Sequence, residues 1–146
     1  MKKLIVGILI AFCSPVNSCA QTVEILNASR QGWSGGIAGN YGIKYSITLK
    51  LSPKNCKLDS IYINDRGYKL DSKPGGNVER DTLQHALIIN VGEGHHGGRD
   101  DNYNVQFPGQ HVRHFEGAAL IVYQYRSKPY TFIVKKMEEL PPLAFP

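Results

Sequence analysis

From Ile43 to Leu51 the chain alternates without a break: Ile43, Tyr45, Ile47, Leu49 and Leu51 are apolar, and Lys44, Ser46, Thr48 and Lys50 between them are polar. Extended backbone sends successive side chains to opposite sides, so this pattern specifies a strand with one oily and one wet face. An oily face on a sheet has to be covered by a second layer. The fold is therefore expected to be all-β, with this strand at its centre.

The rest of the chain supplies the partners. Thr22 to Leu26 reads as a first strand, followed by Gly32 to Gly42, where five glycines in eleven residues exclude a helix and suggest a loop or irregular edge anchored by Trp33. Leu58 to Asn64 and Tyr68 to Leu70 flank Asp65-Arg66-Gly67 and predict a hairpin. Leu83 to Val91 alternates again, with Leu83, His85, Leu87, Ile89 and Val91 on one face. Gly92 to Asp101 reads as the longest flexible loop, Asn102 to Phe107 as a further strand, and His111 to Phe115 as a segment that pairs back. Ala118 to Arg126 and Tyr130 to Lys136 form a last hairpin around Ser127-Lys128-Pro129. The tail, residues 140–146, carries three prolines and is expected to lie extended over the core through Leu143 and Phe145.

No helical period is sustained and no repeat is present. About seven or eight strands at this spacing point to one antiparallel β-sandwich over residues 21–146, immunoglobulin-like by first choice, with a small β-barrel as the second. A chain of 146 residues with 42% hydrophobic content matches one core.

Residues 1–20 have the order of an export leader: Lys2 and Lys3, then an apolar run from Leu4 to Phe12 that is too short to span a bilayer. The residues after the apolar run are compatible with two cuts. Ser18-Cys19-Ala20 suits an ordinary signal peptidase, giving a chain that starts at Gln21. The same residues resemble a bacterial lipoprotein box, which implies lipidation of Cys19 and a membrane contact through that anchor alone; Asn17 departs from the usual pattern. Either way the protein is expected to be exported, to the periplasm, the outer membrane or the outside of the cell. Cys56 is then the lone thiol, without a disulfide partner. The formal charge of +5 comes from scattered residues, two of them in the leader, and leaves no nucleic-acid footprint.

Three groups of residues bear on chemistry. Gly32-Trp33-Ser34-Gly35-Gly36 satisfies Gly-x-Ser-x-Gly and superficially resembles a hydrolase elbow. An elbow needs a helix after its serine, and glycines come next here, so no catalytic residue is assigned. His95, His96, Asp100 and Asp101 have the donor types of a divalent metal site, provided that a loop lets adjacent histidines converge; His111 and His114 are candidate additions. The spacing matches no recognised metal motif, and the expectation is no cofactor, with a divalent metal on this loop as the alternative. His85, on an apolar strand face, reads as a core histidine. Trp33 and Tyr41, flanked by glycines, have the chemistry to stack on a glycan ring or a peptide. The chain thus reads as a non-enzymatic, exported binding or assembly module for a protein, peptide or glycan.

Overall fold

The computed structural model describes residues 22–36, 39–52, 56–64, 66–71, 73, 76–96, 99–101 and 114–146, with backbone alone for 22, 96 and 99–101. The leader with Cys13 and Cys19, the expected strand 102–107 and His111 lie outside these residues.

Ten strands are present among the described residues, more than the seven or eight that the spacing suggested: β1 (Thr22–Gly35), β2 (Tyr41–Ser52), β3 (Lys57–Ile63), β4 (Arg66–Lys69), β5 (Val78–Asp81), β6 (Ala86–His96), β7 (Arg99–Asp101), β8 (Ala119–Tyr125), β9 (Lys128–Val134) and β10 (Glu138–Phe145). They build two sheets. The larger runs β10-β1-β2-β6-β5, with β7 also on β6, and the smaller runs β4-β3-β8-β9. Among the described residues each sheet keeps two edges, so the closed-barrel alternative is set aside. Every pairing is antiparallel except that of β1 with β10, which is parallel.

The strict alternation from Ile43 to Leu51 is realised in β2. Tyr45, Ile47 and Leu49 are buried, and they meet Ile61, Ile63, Ile121 and Tyr123 of the smaller sheet in a single core. Six side chains, Ile47, Leu49, Ile61, Ile63, Ile89 and Ile121, are almost wholly removed from water. Each contributes about 1.5–3 kcal/mol of transfer free energy, and together they hold the sheets face to face. Both expected hairpins form: Ile63 pairs with Arg66 in β3–β4, and Tyr125 with Lys128 in β8–β9.

Four expectations are corrected. The glycine-rich stretch at Gly32 is strand as far as Gly35, and Gly92 to His96 is the continuation of β6. Glycine lowers the intrinsic preference for a strand, but cross-strand pairing decides these positions. His85 is no core residue. Strand β6 begins at Ala86, and His85 is an exposed turn residue with φ of 51°, because the alternation from Leu83 runs on through a turn. Leu83 itself is 93% exposed. Finally, the proline-bearing tail forms an edge strand, β10, and leaves Leu143 and Phe145 exposed instead of laying them on the core.

Candidate functional site

Strands β1, β2 and β6 have 14, 12 and 11 residues, whereas β3, β8 and β9 have 7 each and β4 has 4. At about 3.3 Å per residue the long strands run some 36–46 Å and the short ones about 23 Å. The larger sheet therefore overhangs the smaller one, and the face that forms the core further along becomes a surface at the end.

The register gives the composition of that surface. Ser34, Tyr41 and His95 form one row across β1, β2 and β6, with Asp100 of β7 as the next Cα partner. Gly32, Ile43 and Glu93 form the next row on the same face, and Arg30, Tyr45 and Val91 the third. Tyr45 and Val91 are buried, which marks this as the core side. Exposure rises along β2 toward the overhang, from Tyr45 at 3% through Ile43 at 38% to Tyr41 at 59%. The ring of Tyr41 stacks on the imidazole of His95, with centroids 5.3 Å apart and planes inclined by 27°. An aromatic pair flanked by Ile43 and Ser34 thus forms a platform open to water.

Beneath the platform the sheets are tied by polar groups. Glu93 accepts a hydrogen bond from the Tyr68 hydroxyl and forms an ion pair with Arg66 Nη1 at 3.1 Å. Burial, reinforced by that hydrogen bond to the carboxylate, pushes the Tyr68 phenol well above the ordinary tyrosine range. Tyr45 is also raised, by burial first and by the Glu93 charge second, against a hydrogen bond from Asn64 and the positive charges of Arg30 and Arg66. A cleft of about 110 Å³ opens there, lined by Arg30, Tyr45, Ile63, Asn64, Ala118 and Met137. Arg30 reaches over its rim to Glu139 at 2.8 Å.

No family model, curated protein or solved structure matches this chain. The geometry has to carry the functional reading.

Of the residues singled out in the sequence, Tyr41 and His95 are brought together, which sequence reasoning did not anticipate because it placed them in separate loops. Trp33 pairs with Gly42, one step out of phase with Tyr41, and so belongs to the opposite face of the same sheet. Its indole packs close against Gly42: a Cβ there would fall 2.6 Å from Trp33 Cε2 and Nε1. Trp33 and Tyr41 are neighbours in the fold but do not share one binding surface.

Residues 95 and 96 are consecutive strand positions, so the loop that was to let two histidines converge is absent. The side chains of His96, Asp100 and Asp101 lie outside the described residues. Among the described residues no three His, Cys, Asp or Glu gather in a metal-holding group, and His114 is an exposed residue of the segment before β8. Ser34 sits within a strand between Tyr41 and Ala144, and Tyr41 separates it from His95 by two strand spacings, about 9.5 Å.

A second cleft, of about 90 Å³, is lined by Leu51, Cys56, Arg80, His85, Ala86 and Leu87. Burial raises the Cys56 thiol above its ordinary pKa, which disfavours the reactive thiolate. The residues that no sequence signal grouped are Tyr68, Glu93, Arg66 and Arg30. Continuing the alternation Ile89, Val91, Glu93, His95 past the glycines would have put Glu93 and His95 on the core side.

Proposed function

We propose that this chain is an exported, non-enzymatic β-sandwich of immunoglobulin-like type that binds a glycan on the overhanging end of its larger sheet. The observation that carries this is Tyr41: a large aromatic ring, 59% exposed, held on a stacked imidazole at the overhanging end of the larger sheet. A saccharide ring has an apolar C–H face for such a platform and hydroxyls for a hydrogen-bonding group such as Ser34, the neighbour of Tyr41 in the same row. The aromatic pair is built on strands, which fixes its orientation more tightly than a loop would. Residues 1–20 support export, and Cys19 offers a lipid anchor where the lipoprotein-type cut is used.

The test is a screen of the purified chain on immobilised oligosaccharides, followed by calorimetric titration of the strongest hit. Binding is expected to be lost in Tyr41→Ala and retained in Trp33→Phe, which alters the opposite face. Retention of no oligosaccharide, or equal affinity for wild type and Tyr41→Ala, would sink the reading; selection of an extended peptide instead, lost with Tyr41, would keep the platform and replace the ligand.

A further inference from the structure

The C-terminal strand is the element held least by the core. Every residue of β10 except Leu140 is exposed, and Leu140 is only half-buried. What holds it is the outer edge of β1: main-chain pairing from Ser29↔Glu138 to Gly35↔Phe145, the Arg30–Glu139 ion pair at 2.8 Å, and the amide of Gln31 donating to the Pro141 carbonyl at 2.8 Å. A strand with so little buried apolar surface is fixed by bonds that any identical strand would make equally well.

The edge of β1 is nonetheless shaped for this particular segment. The register shifts between Gln31 and Trp33 on β1 and between Leu140 and Leu143 on β10, so the bulge absorbs Pro141 and Pro142, neither of which has an amide hydrogen to contribute to a ladder. Pro142 lies over Gly32, whose added Cβ would sit 3.8 Å from the proline Cβ. At Gly35, with φ of 142°, a Cβ would fall 2.6 Å from the Phe145 nitrogen, so only glycine lets the last residues approach. Glycines, bulge and ion pair together select the C-terminal sequence of this chain over a generic extended peptide.

The connection to β10 is short. Lys135, Lys136 and Met137 carry the chain from β9 in the smaller sheet to β10 in the larger one. Four residue steps reach about 14 Å at full extension, and packed sheets are about 10 Å apart, so little slack remains. Lys135 and Lys136 are both exposed, and Met137 packs against the core rim. Opening at the two lysines would relieve this tight crossing, and short connections of this kind favour exchange of the element that they join.

We propose that β10 exchanges between two copies of this chain, so that the C-terminal strand of each is seated on the β1 edge of the other. All bonds across the β1–β10 seam are remade in trans. Glu139 of one copy then meets Arg30 of the other, and the partner completes the rim of the Arg30 cleft. The inference does not depend on a glycan ligand, since it concerns the opposite side of β1 from β2.

The seam itself provides the test. In a chain with Cys13, Cys19 and Cys56 replaced by serine, Arg30→Cys and Glu139→Cys place two thiols at a Cα-paired position. Oxidation at increasing protein concentration, followed by non-reducing electrophoresis and peptide mapping, reads whether position 30 is joined to position 139 of the same or of a second molecule. A disulfide-linked dimer whose share grows with concentration is expected, and insertion of a Gly-Ser-Gly-Ser spacer after Lys136 is expected to shift it toward monomer. Intramolecular linkage alone at every concentration would overturn the proposal. If that pair disturbs folding, Gln31→Cys with Leu140→Cys reports on the same seam, and light scattering of the unmodified chain must show the same dimer.

Discussion

The hydroxyl of Tyr68 in β4 donates to the carboxylate of Glu93 in β6, joining the short sheet to the long one just where the platform begins. Arg66 holds the other carboxylate oxygen at 3.1 Å, so Glu93 is fixed from two sides by the β3–β4 hairpin. That pin sets where the smaller sheet stops and the open surface starts. It also makes a buried phenol the group whose ionisation the fold resists.

Stability is therefore expected to fall on the alkaline side. Tyr68, Tyr45 and Tyr123 all have raised pKa values, with burial the largest cause in each. Below about pH 10 they are protonated in both folded and unfolded chains, and their contribution is fully present. Above it the unfolded chain releases protons that the folded one retains, so unfolding is favoured increasingly as pH rises toward the folded values. Tyr68→Phe should lower the urea-derived stability at neutral pH by about 1–2 kcal/mol and flatten the alkaline decline. An alkaline branch identical to wild type would show that another group causes the loss.

Gly42→Ala is expected to cost about 1–3 kcal/mol, since its Cβ would run into the Glu93 carbonyl and the Trp33 indole together. The displaced indole should shift its fluorescence to the red. Gly92→Ala is the control: its nearest neighbour, the Ile43 carbonyl oxygen, would be 3.3 Å away, and the effect on the unfolding midpoint should be clearly smaller.

His85→Gly is expected to raise stability by about 0.5–1 kcal/mol, because the native φ of 51° strains a side-chain-bearing residue and suits glycine. Ile89→Ala, four positions along and fully buried, should lose about 2–5 kcal/mol by the same thermal or urea measurement. Were His85 a core residue, both substitutions would be destabilising.

Period-two patterning made Ile43 to Leu51 readable because burial of one face is a property of side chains that lie next to each other in the sequence. The hairpins at residues 61–70 and 118–136 were readable for the same reason, with turn residues between alternating runs. Glycine at positions 32, 35, 92 and 94 hid strand, since its low intrinsic preference says nothing about a partner strand that arrives from elsewhere. Prolines 141 and 142 hid β10, because an edge strand tolerates missing donors that an interior strand does not. The platform was out of reach for a different reason. Tyr41 and His95 meet only through the β2–β6 register, and Tyr68 and Glu93 only through the packing of two sheets, neither of which leaves a local signature.

The parallel seam has a further consequence for how this molecule is made. Arg30 and Glu139 are separated by 109 residues, and β1 and β10 are the first and last of the described strands. As the chain folds, β1 can pair with β2 almost at once, but its outer edge stays bare until residues 138–145 reach it. Contacts of such long range form slowly, and an uncovered strand edge recruits other chains in the interval. The final eight strand residues therefore govern the yield of native protein, and a chain that stops short at Met137 is expected to aggregate as it folds.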